Sequence, residues 1–165
     1  MDTLLISRLT PIEIYLGKAI PTSIIGLINM SLGIAVVMIW FRVPVRGNLI
    51  YLLLASIIFL SALLAYALLI SVITSTQQQA LFFAWFTMLT FMLLSGLFTP
   101  IENIPSGLRI LADINPIRYL IKIIREIFLK GNGIEYFYKE LLYLLAIASV
   151  TVSVSIINFK RLISK

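Results

Sequence analysis

Residues 19–41, AIPTSIIGLINMSLGIAVVMIWF, carry no charged side chain between Lys18 and Arg42. A helix that crosses a bilayer needs about 20 such residues. This stretch therefore predicts a membrane-spanning helix, with Pro21 in its first turn, where the missing N–H costs little. The whole chain is rich in apolar residues: 61% of its residues are hydrophobic and 12% are charged. In a soluble domain roughly a quarter of the residues are charged. Lipid must be the solvent for much of the chain.

Three more apolar stretches follow the first, at residues 49–73, 80–98 and 141–159. The second and third spans are separated by the polar run TSTQQQ at residues 74–79, which belongs at a membrane surface. A long apolar segment satisfies its own backbone hydrogen bonds in hydrocarbon only as a helix. The sequence therefore predicts an all-α membrane protein, a single polytopic bundle of four transmembrane helices over residues 1–165.

The segment before the last span, residues 99–137, is amphipathic rather than uniformly apolar. Asn115 followed by Pro116 predicts a helix N-terminus, and Gly131 is typical of a helix C-terminus. Between them apolar residues recur at helical spacing, namely Ile117, Leu120, Ile121, Ile124 and Phe128. The segment is expected to be an interfacial or re-entrant helical hairpin. Two interpretations stay open: a connector on the membrane surface, or a functional hairpin that dips into the membrane and returns.

The first 18 residues are predicted to be a second amphipathic segment. Thr10 and Glu13 match a capping box, in which each side chain hydrogen-bonds the backbone of the other residue. We expect two short helices broken at Thr10, the second leading through Gly17 and Lys18 into the first span. The apolar residues that could share one helix face are Leu4, Leu5, Leu9 and Ile12.

The composition excludes several classes of chemistry. The chain has neither Cys nor His, so thiolate or imidazole metal sites, disulfides and Ser-His-Asp triads are ruled out. A phosphate-binding loop needs Gly-x-x-x-x-Gly-Lys-Ser/Thr, but Ile12 and Ala19 stand where its first Gly and its Ser/Thr should be. The net charge of +6 is more typical of anchors at lipid headgroups than of nucleic-acid binding. We therefore predict no enzyme, no metal, no cofactor and no nucleic-acid partner.

Several motifs, in this order along the chain, resemble those of ABC-2 type transporter permeases. MDTLL at residues 1–5, with TPIE at 10–13 and Gly17-Lys18, resembles the cytoplasmic coupling segment of that family. The turn STQQQA at residues 75–80 resembles the loop that precedes the family's fifth helix. LSGLFTPIENIP at residues 94–105 resembles its hallmark stretch LSG-x-F-x-PI-x-N-x-P. The pattern Asn-Pro-x-x-Tyr at 115–119, then Arg125 and LKG at 129–131, resembles the extracellular re-entrant region before the last helix.

The resemblance implies a permease subunit of an ATP-binding cassette exporter in the cell membrane. Such a subunit moves a drug-like, lipid or other amphiphilic substrate with ATP bound and hydrolysed by a separate ATP-binding subunit. It works as a homodimer or heterodimer of permeases. Relatives of this export type have six helices, with a large external domain between the first two. The chain is thus expected to be a C-terminal part, either a fragment or a split subunit that acts with a separate N-terminal piece.

The resemblance also assigns two sets of functional residues. The segment 1–18 is expected to couple to the ATPase, and Arg8 departs from the family pattern, which often has Pro there. The coupling residues are Thr3, Leu4, Leu5, Arg8, Thr10, Pro11, Glu13, Gly17 and Lys18. The region 99–137, together with the end of the third span, is expected to be an external gate. The gate residues are Ser95, Gly96, Pro100, Asn103, Pro105, Asn115, Pro116, Tyr119, Arg125 and Gly131.

The orientation comes from the resemblance, which puts both termini in the cytoplasm. Under that topology more of the 13 Lys and Arg residues fall outside than inside, so the positive-inside rule does not fix the orientation. An alternative function is a small pore-forming or scaffolding membrane protein. The sequence names neither the substrate nor the cognate ATPase.

Overall fold

The computed structural model describes residues 11–42, 46–98 and 105–163. Within these ranges the chain consists of helices and turns without a strand, which confirms the predicted all-α fold. The α-helices are α1 (Pro11–Ile39), α2 (Leu49–Ile73), α3 (Gln77–Leu93), α4 (Ser106–Asp113), α5 (Pro116–Arg125) and α6 (Tyr138–Ile163). A π-helical turn (Glu126–Lys130) continues α5, and a 3-10 turn (Ile134–Tyr136) precedes α6.

Polar side chains set the starts of α2 and α3. The Asn48 side chain accepts a hydrogen bond from the backbone N–H of Ile50 at 2.9 Å, and Thr76 accepts one from Gln79 at 3.2 Å. Each satisfies a donor that the first turn of a helix leaves without a backbone partner. The polar run at 74–79 therefore makes the tight connection between the two helices.

Helix α1 runs without a break from Pro11 to Ile39, as expected for a helix that leads through Gly17 and Lys18 into the first span. The expected first span at 19–41 and the second half of the expected coupling segment are thus one helix. Pro21 lies in the helix interior instead of its first turn, so the carbonyl of Gly17 lacks the N–H that would normally reach it. The residues before Pro21 pack onto α2 through Tyr15 and Ala19.

Helix α3 ends earlier than predicted, at Leu93 instead of residue 98. The chain turns at once because Ser95 bonds back to the helix and Gly96 adopts a positive φ of 81°. A left-handed residue at this place ends a helix because it takes the chain off the helical path. Apolar composition continues past this turn, so composition by itself does not reveal the helix end.

The core consists of α2, which packs along α6 and along α5. Helix α2 presents small residues to its neighbours, among them Ala55, Ala62 and Ala65, which are fully buried. Small side chains let helix backbones approach closely, which is how helices pack where lipid removes the hydrophobic driving force. The largest buried cluster joins α2, α5 and α6 through Leu52, Ala55, Tyr119, Ile123, Ile127, Phe137 and Leu144.

Three described helical segments are long and apolar enough to cross a membrane, and α3 is close to that length. The three are Tyr15–Ile39, Leu49–Ile73 and Tyr138–Asn158, with mean hydropathies of 2.1, 2.6 and 2.1. Helix α3 has 17 residues, none of them buried, whereas a span needs about 20. The helices therefore present large apolar surfaces outward, which is the reverse of a soluble bundle.

Candidate functional site

The predicted coupling residues divide between described and undescribed parts of the chain. Pro11 is the first residue of α1, while Glu13, Gly17 and Lys18 are exposed on that helix. A Cβ atom added to Gly17 would meet no atom within 4 Å, so nothing packs against this face in the described chain. The rest lie outside the described residues, namely Thr3, Leu4, Leu5, Arg8 and Thr10.

Sequence reasoning missed the contact that anchors the start of α1. Tyr15 is buried, and its hydroxyl donates a hydrogen bond to the carbonyl of Ser61 at 3.0 Å. Tyr15 and Ala19 pack with Ala65 and Leu68 of α2 in a second buried cluster. The spacing of four residues between Tyr15 and Ala19, one helical turn, was the available signal. The beginning of α1 is therefore fixed to α2.

The predicted gate begins at the turn that ends α3. The hydroxyl of Ser95, itself buried, donates to the carbonyl of Met92 at 2.6 Å and accepts from the N–H of Leu97 at 3.3 Å. Gly96 follows with its positive φ. The Leu-Ser-Gly motif thus satisfies a carbonyl at the end of α3 and turns the chain. Pro100 and Asn103 lie outside the described residues.

Asn115 connects the end of α3 to the start of α5. Its side chain is 0% exposed and makes two hydrogen bonds in opposite directions. The Oδ1 atom accepts from the N–H of Ile117 at 3.0 Å, which confirms the predicted N-cap, and Nδ2 donates to the carbonyl of Phe91 at 2.6 Å. The Phe91 carbonyl is among the last four of α3, which have no partner within the helix. One side chain therefore satisfies a backbone N–H at the start of α5 and a backbone carbonyl at the end of α3.

The helical pair before the last span is positioned by three more predicted residues. Pro105 precedes α4 as its N-cap residue, without a side-chain bond. Pro116, the first residue of α5, is fully buried. Tyr119 is buried as well, where its hydroxyl donates to the carbonyl of Asp113 at 2.8 Å and its ring stacks on Tyr143 with centroids 5.5 Å apart. These contacts fix α4, α5 and α6 relative to one another.

Arg125 and Gly131 make close contacts with neighbouring segments. The Nη2 of Arg125 donates to the carbonyl of Gly96 at 3.1 Å, so the end of α5 holds the turn that ends α3. Gly131 has a φ of 67°, and a Cβ atom added there would lie 2.7 Å from the Cβ of Arg46. Glycine is required at this position by both its backbone conformation and the space available.

Helix α5 and its π-helical turn run antiparallel to α2 along much of its length. Ile114, just before α5, accepts a long hydrogen bond of 3.4 Å from the Tyr66 hydroxyl, and Gly131 at the other end contacts Arg46. Tyr66 lies 17 residues into α2, about 25 Å along its axis. The α4–α5 pair therefore reaches deep beside α2 and returns to its start, a relation that sequence spacing alone did not reveal.

Three cations of this pair and of the π-helical turn after it have acidic partners within the described residues. Ion pairs join Arg118 to Asp113, Lys122 to Glu140 and Lys130 to Glu126. Glu126 and Lys130 are four residues apart, the spacing at which side chains meet on one helix face. The hydrogen bond from Lys130, assisted by one from Asn132 at 2.6 Å, lowers the pKa of the Glu126 carboxyl. This carboxylate therefore stabilises the Gly131 turn.

The described residues show apolar cavities and no group of acidic residues that could hold a metal ion. One cavity of about 500 Å³ lies between α2 and α3, lined by apolar side chains such as Leu63, Ile70, Met88 and Phe91 with Tyr66 among them. Such a lining suits hydrocarbon or an aromatic compound better than a small ion. The geometry offers binding of apolar molecules.

Comparison with known proteins gives the same family as the motifs. The family model of the ABC-2 type transporter matches residues 1–129. The probable multidrug ABC transporter permease YbhR of Escherichia coli K12 is 35% identical over 161 residues, or 98% of this chain and 44% of that protein. The probable multidrug ABC transporter permease YbhS of the same strain is 33% identical over 165 residues, or 98% and 43%.

A more distant relative is the inner membrane transport permease YhhJ of Escherichia coli K12, 22% identical over 164 residues. No solved structure matches the chain. The chain spans less than half the length of these relatives, 43–44% of each. The family match nevertheless covers well over half of this chain, which confirms the resemblance of the motifs. The chain belongs to the ABC-2 type transporter family.

Proposed function

We propose that this chain forms the C-terminal part of a membrane permease that exports an amphiphilic molecule with energy from a separate ATP-binding subunit. The observation that carries the proposal is the family match over residues 1–129, together with relatives whose names describe multidrug ABC transporter permeases. The sequence lacks a phosphate-binding loop, so ATP would be bound by the partner. The substrate would be drug-like, lipid or otherwise amphiphilic.

The proposed membrane arrangement has four spans with both termini in the cytoplasm of a cell membrane. Three helices have the required length and hydropathy. Helix α3 is the fourth in this proposal, because its outward side chains are almost all apolar, including Phe82, Trp85, Phe86 and Leu89. A helix of 17 residues spans about 25 Å, and a bilayer thins locally around a short span at modest cost. Two permease copies or a permease pair would enclose the substrate path, with α1 and α3 on its sides.

The α4–α5 pair is the external gate in this proposal. Its depth beside α2 supports a re-entrant hairpin over a surface connector, because the Tyr66 contact lies about 25 Å from the start of α2. Its ion pairs neutralise charged side chains whose transfer into hydrocarbon would otherwise cost free energy. The bonds from Asn115 and Arg125 to the end of α3 join the gate to a helix that would line the path. Movement of α3 would therefore displace the gate.

The N-terminal 18 residues act as the lever in this mechanism. ATP-driven closure of the partner would tilt residues 1–10, and the continuous helix α1 would carry that movement into the membrane. The bond from Tyr15 to Ser61 and the packing of Ala19 support a second route, directly into α2. The missing backbone bond at Pro21 marks the point where α1 bends most easily.

The test compares a lever variant with a gate variant in the permease reconstituted with its ATP-binding subunit. Leu5→Asp removes an apolar contact from the proposed docking face, so it should weaken ATPase binding roughly tenfold or more and reduce export. Gly96→Ala, at a positive φ, should reduce export while ATPase binding stays unchanged. Loss of ATPase binding in Gly96→Ala would contradict the division of roles. Failure of the unmodified permease to bind any ATP-binding subunit would favour the pore-forming or scaffolding alternative.

A further inference from the structure

A second cavity, of about 540 Å³, lies between α1, the start of α2 and the end of α5. Its walls are almost entirely apolar, and among the described residues Arg125 supplies its charged side chain. An apolar groove bordered by the cation of Arg125 is complementary to an amphiphile that has an apolar chain and an anionic head. The residues that define this groove are Met30, Gly33, Val37, Leu52, Phe128 and Arg125.

The position of the groove along the bundle matches the upper part of one lipid leaflet. Met30 to Val37 covers about 10 Å of α1, just before the exposed Trp40 and Phe41. Aromatic side chains of this kind concentrate at the membrane–water interface. The groove therefore lies at the depth of lipid chains, immediately below the level of their headgroups.

Arg125 has hydrogen-bonding capacity left after its known contact. A guanidinium carries five N–H donors, and the described bond to the Gly96 carbonyl uses one of them. No ion pair involves Arg125 among the residues that the structure describes, whereas Arg118, Lys122 and Lys130 each have an acidic partner. Arginine recognises phosphate with two parallel hydrogen bonds. The remaining donors thus suit a phosphate at the edge of the groove.

We propose that this groove binds an anionic phospholipid of the surrounding bilayer, with an acyl chain between α1 and α5 and its phosphate on Arg125. The charge of Arg125 against apolar walls selects this occupant over a neutral hydrocarbon. The site goes beyond the proposed export function, since lipid binding here requires neither ATP nor the ATPase subunit. The bound lipid would also contact both α1, which continues from the lever, and α5, which is part of the gate.

Fluorescence quenching tests the proposal, because the chain has two tryptophans and Trp40 lies about 10 Å beyond Gly33 along α1. The Trp85→Phe variant leaves Trp40 as the reporter. The protein is reconstituted in phosphatidylcholine vesicles that contain a small fraction of brominated phosphatidylglycerol or of brominated phosphatidylcholine. Brominated phosphatidylglycerol should quench Trp40 at roughly tenfold lower mole fraction, because both phosphates can bond Arg125 but the choline ammonium of phosphatidylcholine repels that cation. Equal quenching by the two lipids overturns the proposal.

Two variants on the same background separate the groove from the bulk bilayer. Arg125→Gln should abolish the preference, while Arg109→Gln, which removes a cation outside the groove, should keep it. Gly33→Leu should also abolish it without removing Arg125, because a side chain at Gly33 points into open space in the groove. A preference that persists in both Arg125→Gln and Gly33→Leu would contradict the site.

A protein occupant is tested separately by cross-linking. The chain has no cysteine, so Gly33→Cys introduces a single thiol into the groove. The proposal expects no disulfide-linked dimer through this residue under mild oxidation. Efficient dimer formation would show that a second copy covers the groove, and would overturn the lipid assignment.

Discussion

Replacing Asn115 by Ala should destabilise the bundle more than any other single polar truncation in the α4–α5 pair. The change removes the cap of α5, which costs about 1 kcal/mol. It also leaves the Phe91 carbonyl without its 2.6 Å partner in a partly buried place, which costs roughly 1–3 kcal/mol. The sum is about 3 kcal/mol, or a fall in Tm of roughly 6–12 °C for a chain of this size.

Thermal unfolding in detergent micelles, followed by circular dichroism, measures this effect. Asn158→Ala is the matched control, because the described bond of Asn158 goes to the carbonyl of Val154 in its own helix, at 2.9 Å. Asn115→Ser, which retains a capping oxygen, should recover part of the loss. If Asn115→Ala and Asn158→Ala lower the Tm equally, the reasoning that one side chain joins α3 to α5 is refuted.

Two further changes test the turn after α5. Gly131→Ala should lower the free energy of unfolding by about 1–3 kcal/mol, the cost of a side chain at positive φ, with added strain from a Cβ 2.7 Å from that of Arg46. Glu126→Gln should remove a pH dependence of stability. The Lys130 hydrogen bond lowers the folded pKa of Glu126, so its stabilisation is complete above pH 4.5 and is lost as the pH falls through the folded pKa.

The controls for these two changes are close in sequence. Gly133→Ala should change stability little, because a Cβ there meets nothing within 4 Å and the φ of −76° suits any residue. Glu135→Gln should leave the pH dependence below pH 4.5 intact. An unfolding free energy that falls equally with acid in the wild type and in Glu126→Gln would show that other carboxyls cause the dependence.

The local features of the fold could be predicted because they depend on neighbouring residues. The Asn115-Pro116 pair caps α5, Gly131 ends its continuation in a left-handed conformation, and Glu126 pairs with Lys130. Each is a contact within about six residues, so spacing along the chain is enough to indicate it. The apolar stretches could be predicted as well, because their length is what a helix needs to cross a bilayer.

The helix ends were harder to predict, because apolar composition does not change where they occur. Residues 94–98 are as apolar as α3 itself, yet the Ser95 and Gly96 turn stops the helix at Leu93. Similarly, α1 continues through Gly17 and Pro21 because Tyr15 and Ala19 pack on α2. In the first place a local turn ends the helix within an apolar stretch, and in the second the helix continues despite the low helix propensity of Pro21.

By itself the sequence determined that the chain is helical, is embedded in lipid, contains neither Cys nor His and carries ordered motifs that resemble those of its family. The first three properties follow from composition and periodicity and the last from motif resemblance, and all of them can be read along the sequence. Only the tertiary structure decided that α5 lies beside α2 for about 25 Å, that Asn115 and Arg125 both hold the end of α3, and that Arg125 borders an apolar groove. These relations join residues far apart in the chain, and they depend on helix packing, which small buried alanines permit but do not specify.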